Sequence, residues 1–232
     1  AKLVKRLVPV REETEPQAIE PQYLDDVLLD TPDLALDRVR MEVRRMGEMV
    51  TGMAQGSLAA VVDGTEGDLQ SLRAADNDVD ALHGAIVAYL GELSQGSVSS
   101  DLSGRLRDYV SAANYLENIG DTIETNLVEA GFQRLNTNLE ISEGTREVLG
   151  RLHTRVLWSV DLAVKAMAEW DGDLAEEITR AKDEINDLAN QADVHLGTRL
   201  TADAPNRLQA FRIESDVIEN YKRIYYFAKR VA

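Results

Sequence analysis

Apolar positions repeat with a helical period over most of the chain. Leu102, Leu106, Tyr109, Ala113, Leu116, Gly120, Ile123, Leu127 and Ala130 follow alternating steps of four and three, the stripe of a helix packed in a bundle. Helical spacing also joins Leu36, Val39, Val43, Met46, Val50 and Met53, and again Leu72, Val79, Leu82, Ile86 and Leu90. Punctuation separates the stripes. Thr31-Pro32-Asp33 reads as a helix start: threonine at the N-cap, proline at the first helical position, an acid at the positive end of the dipole. Helices are predicted over about 31–62, 68–93 and 101–130, then 142–169, 174–200 and a last one after Pro205 ending at Val231. Residues 12–30 carry Pro16, Pro21 and many acids without a sustained period. They read as an extended linker with one short turn at Tyr23-Leu24-Asp25.

The pattern recurs. Gly67-Asp68-Leu69 and Gly172-Asp173-Leu174 each open the middle helix of a set of three. Asp78-Val79-Asp80-Ala81-Leu82 is echoed, with one residue of slippage, by Glu184-Ile185-Asn186-Asp187-Leu188. Strand signals are nearly absent. The expectation is an all-α chain of two three-helix bundles in tandem, six long helices in all, with repeat one at about 31–135 and repeat two at about 139–232. Residues 1–30 are assigned to a basic stub and linker.

Composition narrows the function. A hydrophobic content of 44% supports a sizeable core. A net charge of −16 argues against nucleic acid, whose phosphates demand clustered Lys and Arg, and favours cations or basic partners. With no cysteine there are no disulfides, thiolate metal sites or cysteine nucleophiles, which fits a cytoplasmic address. No apolar run approaches the roughly 20 residues of a membrane span. Lys2, Lys5, Arg6 and Arg11 concentrate positive charge at the start of an acidic chain, as a juxtamembrane stub would; a solvated basic tail accounts for them equally well.

Glu117 and Asp121 lie one helical turn apart and one residue beyond the apolar seam, so they flank the packed stripe. Like charges at this spacing cost a bare helix about 0.2–0.5 kcal/mol, a penalty that solvation or a cation relieves. Asp78 and Asp80 on the preceding helix are the nominated neighbours, and two carboxylates one turn apart joined by acids from a second helix make an oxygen-rich cation site. With 41 acids in the chain, a solvated bundle edge is the plain alternative. His83, His153 and His195 are scattered and form no Glu-x-x-His pair, so a ferritin-like di-iron centre is not expected; His83, three residues after Asp80, is at most an outer ligand. Met41, Met46, Met49 and Met53 read as adaptable core packing on the first helix, and Trp158 and Trp170 as packing residues. Arg38, Arg44 and Arg45 alternate with Asp37, Glu42 and Glu48, the pattern of helix-surface ion pairs rather than of an anion site. No glycine-rich phosphate loop or nucleophile and base pair can be assembled, so catalysis has no positive support.

Tyr115-Leu116-Glu117-Asn118-Ile119-Gly120-Asp121 resembles the repeat signature of the PhoU family, tandem three-helix bundles that act in phosphate regulation. The second copy falls near Asp216-Val217-Ile218-Glu219-Asn220, with Asp216 and Asn220 at the motif positions and asparagine in place of the second carboxylate; Glu214 and Glu219 compete for the same register. Tyr23-Leu24-Asp25, Leu28-Leu29 and Thr31-Pro32-Asp33-Leu34-Ala35-Leu36, with the closing Ile218-Glu219-Asn220-Tyr221-Lys222-Arg223-Ile224-Tyr225-Tyr226, resemble the cytoplasmic C-terminal PhoU-like domain of sodium/phosphate cotransporter-type membrane proteins. The resemblance implies a non-catalytic regulatory domain for phosphate uptake at the inner face of the plasma membrane, docking on the transporter part of the same or a separate protein. It implies a metal such as iron, zinc, manganese or magnesium at Glu117, Asp121, Asp216 and Asn220, with Asp78 and Asp80 as neighbours. The competing expectations are a free-standing phosphate-signalling regulator that docks on a transporter or sensor kinase, a metal-dependent enzyme on a helical bundle, and homodimerisation through the methionine-rich helix.

Overall fold

The computed structural model describes residues 19–96, 99–200 and 206–232. The basic residues Lys2, Lys5, Arg6 and Arg11 lie outside the described residues. Helices account for nearly all of what is described: α1 (Pro32–Val62), α2 (Glu66–Leu93), α3 (Ser100–Asp121), α4 (Val128–Asn136), α5 (Glu143–Glu169), α6 (Gly172–Arg180), α7 (Lys182–Leu200) and α8 (Arg207–Val231). A π-helical segment, Thr122–Leu127, joins α3 to α4 without a break, and only Ala181 separates α6 from α7. Six long rods therefore result, all-α as the periodicity predicts.

The starts are chemically specified. Thr65 and Asp68 form a reciprocal capping box on α2, which moves its start two residues earlier than the apolar stripe indicates. Ser99 caps α3 through Leu102 N, and Ser142 caps α5 through Thr145 N. At α1 the expectation holds only in part. Pro32 takes the first helical position, but the Thr31 side chain makes no capping bond, and Asp33 is tied instead to Arg105 of α3 at 3.0 Å. Trp170 ends α5 in the left-handed region at φ 54° and is 51% exposed, its ring edge-on to Tyr109 and its Nε1 donating to Tyr109 Oη at 3.1 Å. It caps a turn rather than filling the core. Trp158 lies beneath the Arg155 guanidinium, 3.6 Å from its ring centre.

α1, α2 and α3 pack as one bundle and α5, α7 and α8 as another, with α1 against α5 and α3 against α8. All nine residues of the predicted seam on the third helix are buried, and each fully buried leucine or isoleucine contributes about 1.5–3 kcal/mol. The junction of the two bundles is polar at its centre. His153 Nε2 donates to the Ala54 carbonyl at 2.9 Å, and the Ser57 and Tyr221 hydroxyls meet at 2.9 Å. Burial pushes the His153 pKa down, which keeps the ring neutral for that bond.

Residues 19–30 are more ordered than a linker. Glu42, 0% exposed, accepts the backbone N–H groups of Gln22 and Tyr23 at 2.8 and 2.7 Å and the Arg45 guanidinium at 2.8 Å. Arg45 also donates to the Glu20 carbonyl, and Tyr89 to that of Asp25. Ile19, Leu24, Leu28 and Leu29 pack against the core. The periodicity misses this strap because one buried carboxylate, not an apolar stripe, organises it.

Close approach of α1 to α5 depends on Gly47, where an added Cβ would stand 2.6 Å from Val164 Cγ2. Gly47→Ala is expected to lose about 1 kcal/mol, overpacking outweighing the gain in helix propensity. Gly56→Ala, on the open face of the same helix with nothing within 4 Å, should gain about 0.5–1 kcal/mol. Urea denaturation of the two variants checks the opposite signs.

Candidate functional site

Antiparallel packing of α2 on α3 turns two helical stripes into a ladder of polar pairs. Residues 73, 76, 80 and 83 of one rod face 124, 121, 117 and 114 of the other. Each end of the ladder is closed. Arg73 Nε lies 2.9 Å from Glu124 Oε1, and His83 Nε2 lies 2.8 Å from Asn114 Oδ1. Between them stand four acids, Asp76, Asp80, Glu117 and Asp121. Oxygens of Asp76, Asp80 and Asp121 all lie within 4.8 Å of one another, close enough to share one cation.

Asp76 is the deepest of these groups. It is 6% exposed, and its Oδ1 has no hydrogen-bond partner among the described residues. Burial, then the charges of Asp80, Asp121, Glu124 and Glu117, raises its pKa to about 7. Burial and Asp121 likewise raise Asp80, and Glu117 is raised by burial, Asp121 and Asp80, with His83 opposing both shifts. Asp76 reaches this position because residue 120 is glycine: a Cβ there would meet Asp76 Oδ1 at 2.5 Å. An orphaned buried carboxylate oxygen facing two further carboxylates fits an oxygen-ligated divalent ion. The π segment starts immediately after Asp121, with the buried Thr122 hydroxyl donating to the Asn118 carbonyl at 2.7 Å. Such widened turns are frequent at functional sites.

The structure brings Glu117, Asp121 and Asp80 together and sends Asp78 elsewhere. Two residues before Asp80, Asp78 points about 200° around the helix from it, where it lines an outer furrow with Met49 and Leu72. Asp76 takes the role nominated for Asp78. The signal was present: Asp76 and Asp80 repeat on α2 the four-residue spacing that Glu117 and Asp121 have on α3.

Asp216 and Asn220 stand apart from this cluster, on α8. Asn220 is engaged by hydrogen bonds, its amide donating to the Asp216 backbone carbonyl at 2.7 Å and its Oδ1 accepting from Asn126 at 2.8 Å. Nearby, Lys222 Nζ lies 2.7 Å from Glu219. Burial and Glu219 raise the pKa of Asp193, which Lys222 opposes, so an ammonium stands among the acids of this half, whereas Arg73 and His83 stand at the ends of the first ladder. Glu214 is 1% exposed and bound to Arg207 at 3.0 Å. Of the basic residues on α1, Arg44 pairs with Glu48 and Arg45 with Glu42, and Arg38 donates to Met41 Sδ.

A raised carboxylate pKa has a definite sign in stability. The folded value for Asp76 lies near 7 against an ordinary 3.8, so its contribution is fully present below about pH 4 and is lost as pH rises through 7. Metal-free protein should therefore lose about 2 kcal/mol of stability between pH 5 and pH 8, at about 1.4 kcal/mol per unit reduced for relaxation of the cluster. Asp76→Asn should flatten that dependence. Urea midpoints across the range measure it.

Residues 43–129, which contain the whole ladder, match the family model of the PhoU domain. Among curated proteins the chain is similar to "Putative inorganic phosphate export protein YjbB" of Salmonella typhimurium, 30% identical over 183 residues, covering 78% of this chain and 33% of that protein. The protein of the same name from Escherichia coli K12 is 26% identical over 182 residues with the same coverage. The chain thus spans about a third of the length of these relatives. Among solved structures, PhoU from Pseudomonas aeruginosa superposes with a TM-score of 0.77 at 19% identity, covering 84% of this chain and 92% of that one. The phosphate transport system regulatory protein PhoU from Streptococcus pneumoniae gives 0.75 at 17%, covering 87% and 93%. Residues 43–129 thus match the PhoU domain, and the chain shares the fold of the solved PhoU proteins.

Proposed function

We propose that this chain is the regulatory, non-catalytic part of a phosphate transport system and that it works by loading a cation between α2 and α3. The observation that carries the proposal is the ladder itself. Four acids face one another, with Arg73 paired to Glu124 at one end of the ladder, and the deepest holds an oxygen with no hydrogen-bond partner among the described residues. Asp76, Asp80 and Asp121 would ligate the ion, with Glu117 completing the oxygen set. All-carboxylate donors suit manganese, magnesium or iron better than zinc, because His83, the one histidine at the site, is already held by Asn114.

The attachment is proposed on two grounds. The curated relatives are about three times the length of this chain and carry phosphate export in their names, and the sequences at Tyr23 to Leu36 and at the end of α8 resemble the cytoplasmic domains of sodium/phosphate cotransporter-type proteins. The motifs pointed to phosphate uptake; the relatives' names favour export as the regulated step. Ion binding would favour one arrangement of α2 and α3, and regulation follows if the transporter contacts that arrangement differently. A free-standing regulator is the second reading, favoured by the 92% coverage of the solved Pseudomonas aeruginosa PhoU chain.

Protein purified without chelators or affinity-column metal, measured by inductively coupled plasma mass spectrometry, should carry stoichiometric metal that Asp80→Asn/Asp121→Asn and Glu117→Ala/Asp121→Ala both lose. A wild type still metal-free after incubation with iron, manganese and magnesium would end the cation proposal.

A further inference from the structure

The furrow between α1 and α2 is filled along only half its length. In the filled half the strap lies between the two helices, with Glu20, Pro21, Leu24 and Asp26 against Ala85, Ala88, Tyr89 and Glu92 of α2 and with Glu42 and Arg45 of α1 gripping its backbone. The other half is open. It has a volume of about 700 Å³ and is floored by Met49, Gly52, Met53 and Gly56 of α1 and by Leu72 and Ala75 of α2. The two halves are continuous. Residues 42, 45, 49, 52 and 56 share one stripe of α1, and 71, 78, 85 and 92 recur at seven-residue steps along α2. In the filled half the strap lies along the helices with Leu24 packed against the core and its backbone held by Glu42 and Arg45.

Charge defines the occupant further. Asp63, Asp68 and Asp78 line the open half, and no lysine or arginine does so among the described residues. From residue 46 to residue 104 the sequence holds nine acids and a single basic residue, Arg73, which is engaged with Glu124. Asp76 and Asp80 of this stretch face α3, while Asp63, Asp68 and Asp78 give the open half its negative charge. The floor suits close and adaptable contact. Nothing lies within 4 Å of a Cβ built at Gly52 or Gly56, so a partner backbone can approach the helix, and two methionines can reshape around apolar side chains.

We propose that the open half of the α1/α2 furrow docks a basic, apolar segment of a protein partner, continuing the track that the strap begins. The proposal rests on the regulatory reading above and gives it a contact surface. Long-range attraction to the acidic face speeds encounter, and burial of the apolar side chains over Met49, Met53 and Leu72 holds the complex.

Fluorescence anisotropy of the full chain, with a short labelled peptide alternating leucine or valine with lysine or arginine, tests this. Saturable binding is expected with the wild type and none with the counterpart carrying glutamate in place of every basic residue. Gly56→Trp places an indole over the floor from a position where an added Cβ meets nothing within 4 Å, and Asp78→Lys inverts a rim charge. Each should weaken the basic peptide by about tenfold or more, with unchanged circular dichroism. Equal affinity for wild type and both variants would place the peptide elsewhere on the acidic surface and overturn the proposal. So would self-association of the wild type, abolished by Gly56→Trp, because the furrow would then be an interface between copies. Metal content of Gly56→Trp, measured in parallel, separates the two ideas: loss of peptide binding with metal retained supports the furrow independently of the cation site.

Discussion

The position of α1 is the constraint on which the rest depends. It packs on α2 and α3 within its own bundle and on α5 across the junction, so it must be apolar on several sides and slim where α5 crosses. Gly47 provides the crossing, in contact range of Val164. Where the junction continues, backbone and hydroxyl polarity is met inside the protein, by His153 at the Ala54 carbonyl and Tyr221 at Ser57. Neutral partners suffice for those two bonds, and the Arg40 guanidinium adds a bond from α1 to the Ala168 carbonyl of α5 at 2.9 Å. The solvent side of the same helix carries Gly52, Gly56 and Ala59 instead, and that difference turns a structural rod into one wall of an open furrow.

Once α1 fixes α2 against α3, acids that are only neighbours of the seam are forced to face one another. Repulsion alone would splay the helices, yet the apolar rungs beneath hold them: Val79, Leu82, Leu116 and Ile119 are fully buried. The free energy of apolar burial thus keeps carboxylates at a spacing they would avoid in water. The cost appears as raised pKa values at Asp76, Asp80 and Glu117 and in an unpartnered oxygen on Asp76. A cation bound there would remove that cost and so couple ion binding to the separation of two packed helices. The second bundle resolves the same geometry with Lys222 beside Glu219 and an asparagine at 220.

Helix number, helix type and the buried faces were legible in the chain because they depend on local periodicity and on caps: the seam from Leu102 to Ala130 is buried at every position, and breaks such as Gly64, Gly96 and Asn138 fall between rods. That Glu117 and Asp121 lie side by side was legible for a related reason, since residues one turn apart share a face in any helix. Asp76 was not chosen, because the sequence alone does not say which α2 stripe turns toward α3. Asp78 and Asp80 look equivalent as neighbours in sequence and lie on nearly opposite sides of the rod.

The strap and the furrow were still less visible. Glu42 reads as one acid among several alternating with arginines, and only its burial against Gln22 and Tyr23 shows that it organises the chain before α1. Local pattern, in sum, determined the rods, their apolar stripes and the acidic balance of the first half. Tertiary packing decided which acids meet, which lysine neutralises which carboxylate, and which helical face stays open, because each depends on the rotation of one helix about its axis relative to the next. Period alone leaves that rotation free; contacts such as Asp76 over Gly120 and Val164 over Gly47 fix it.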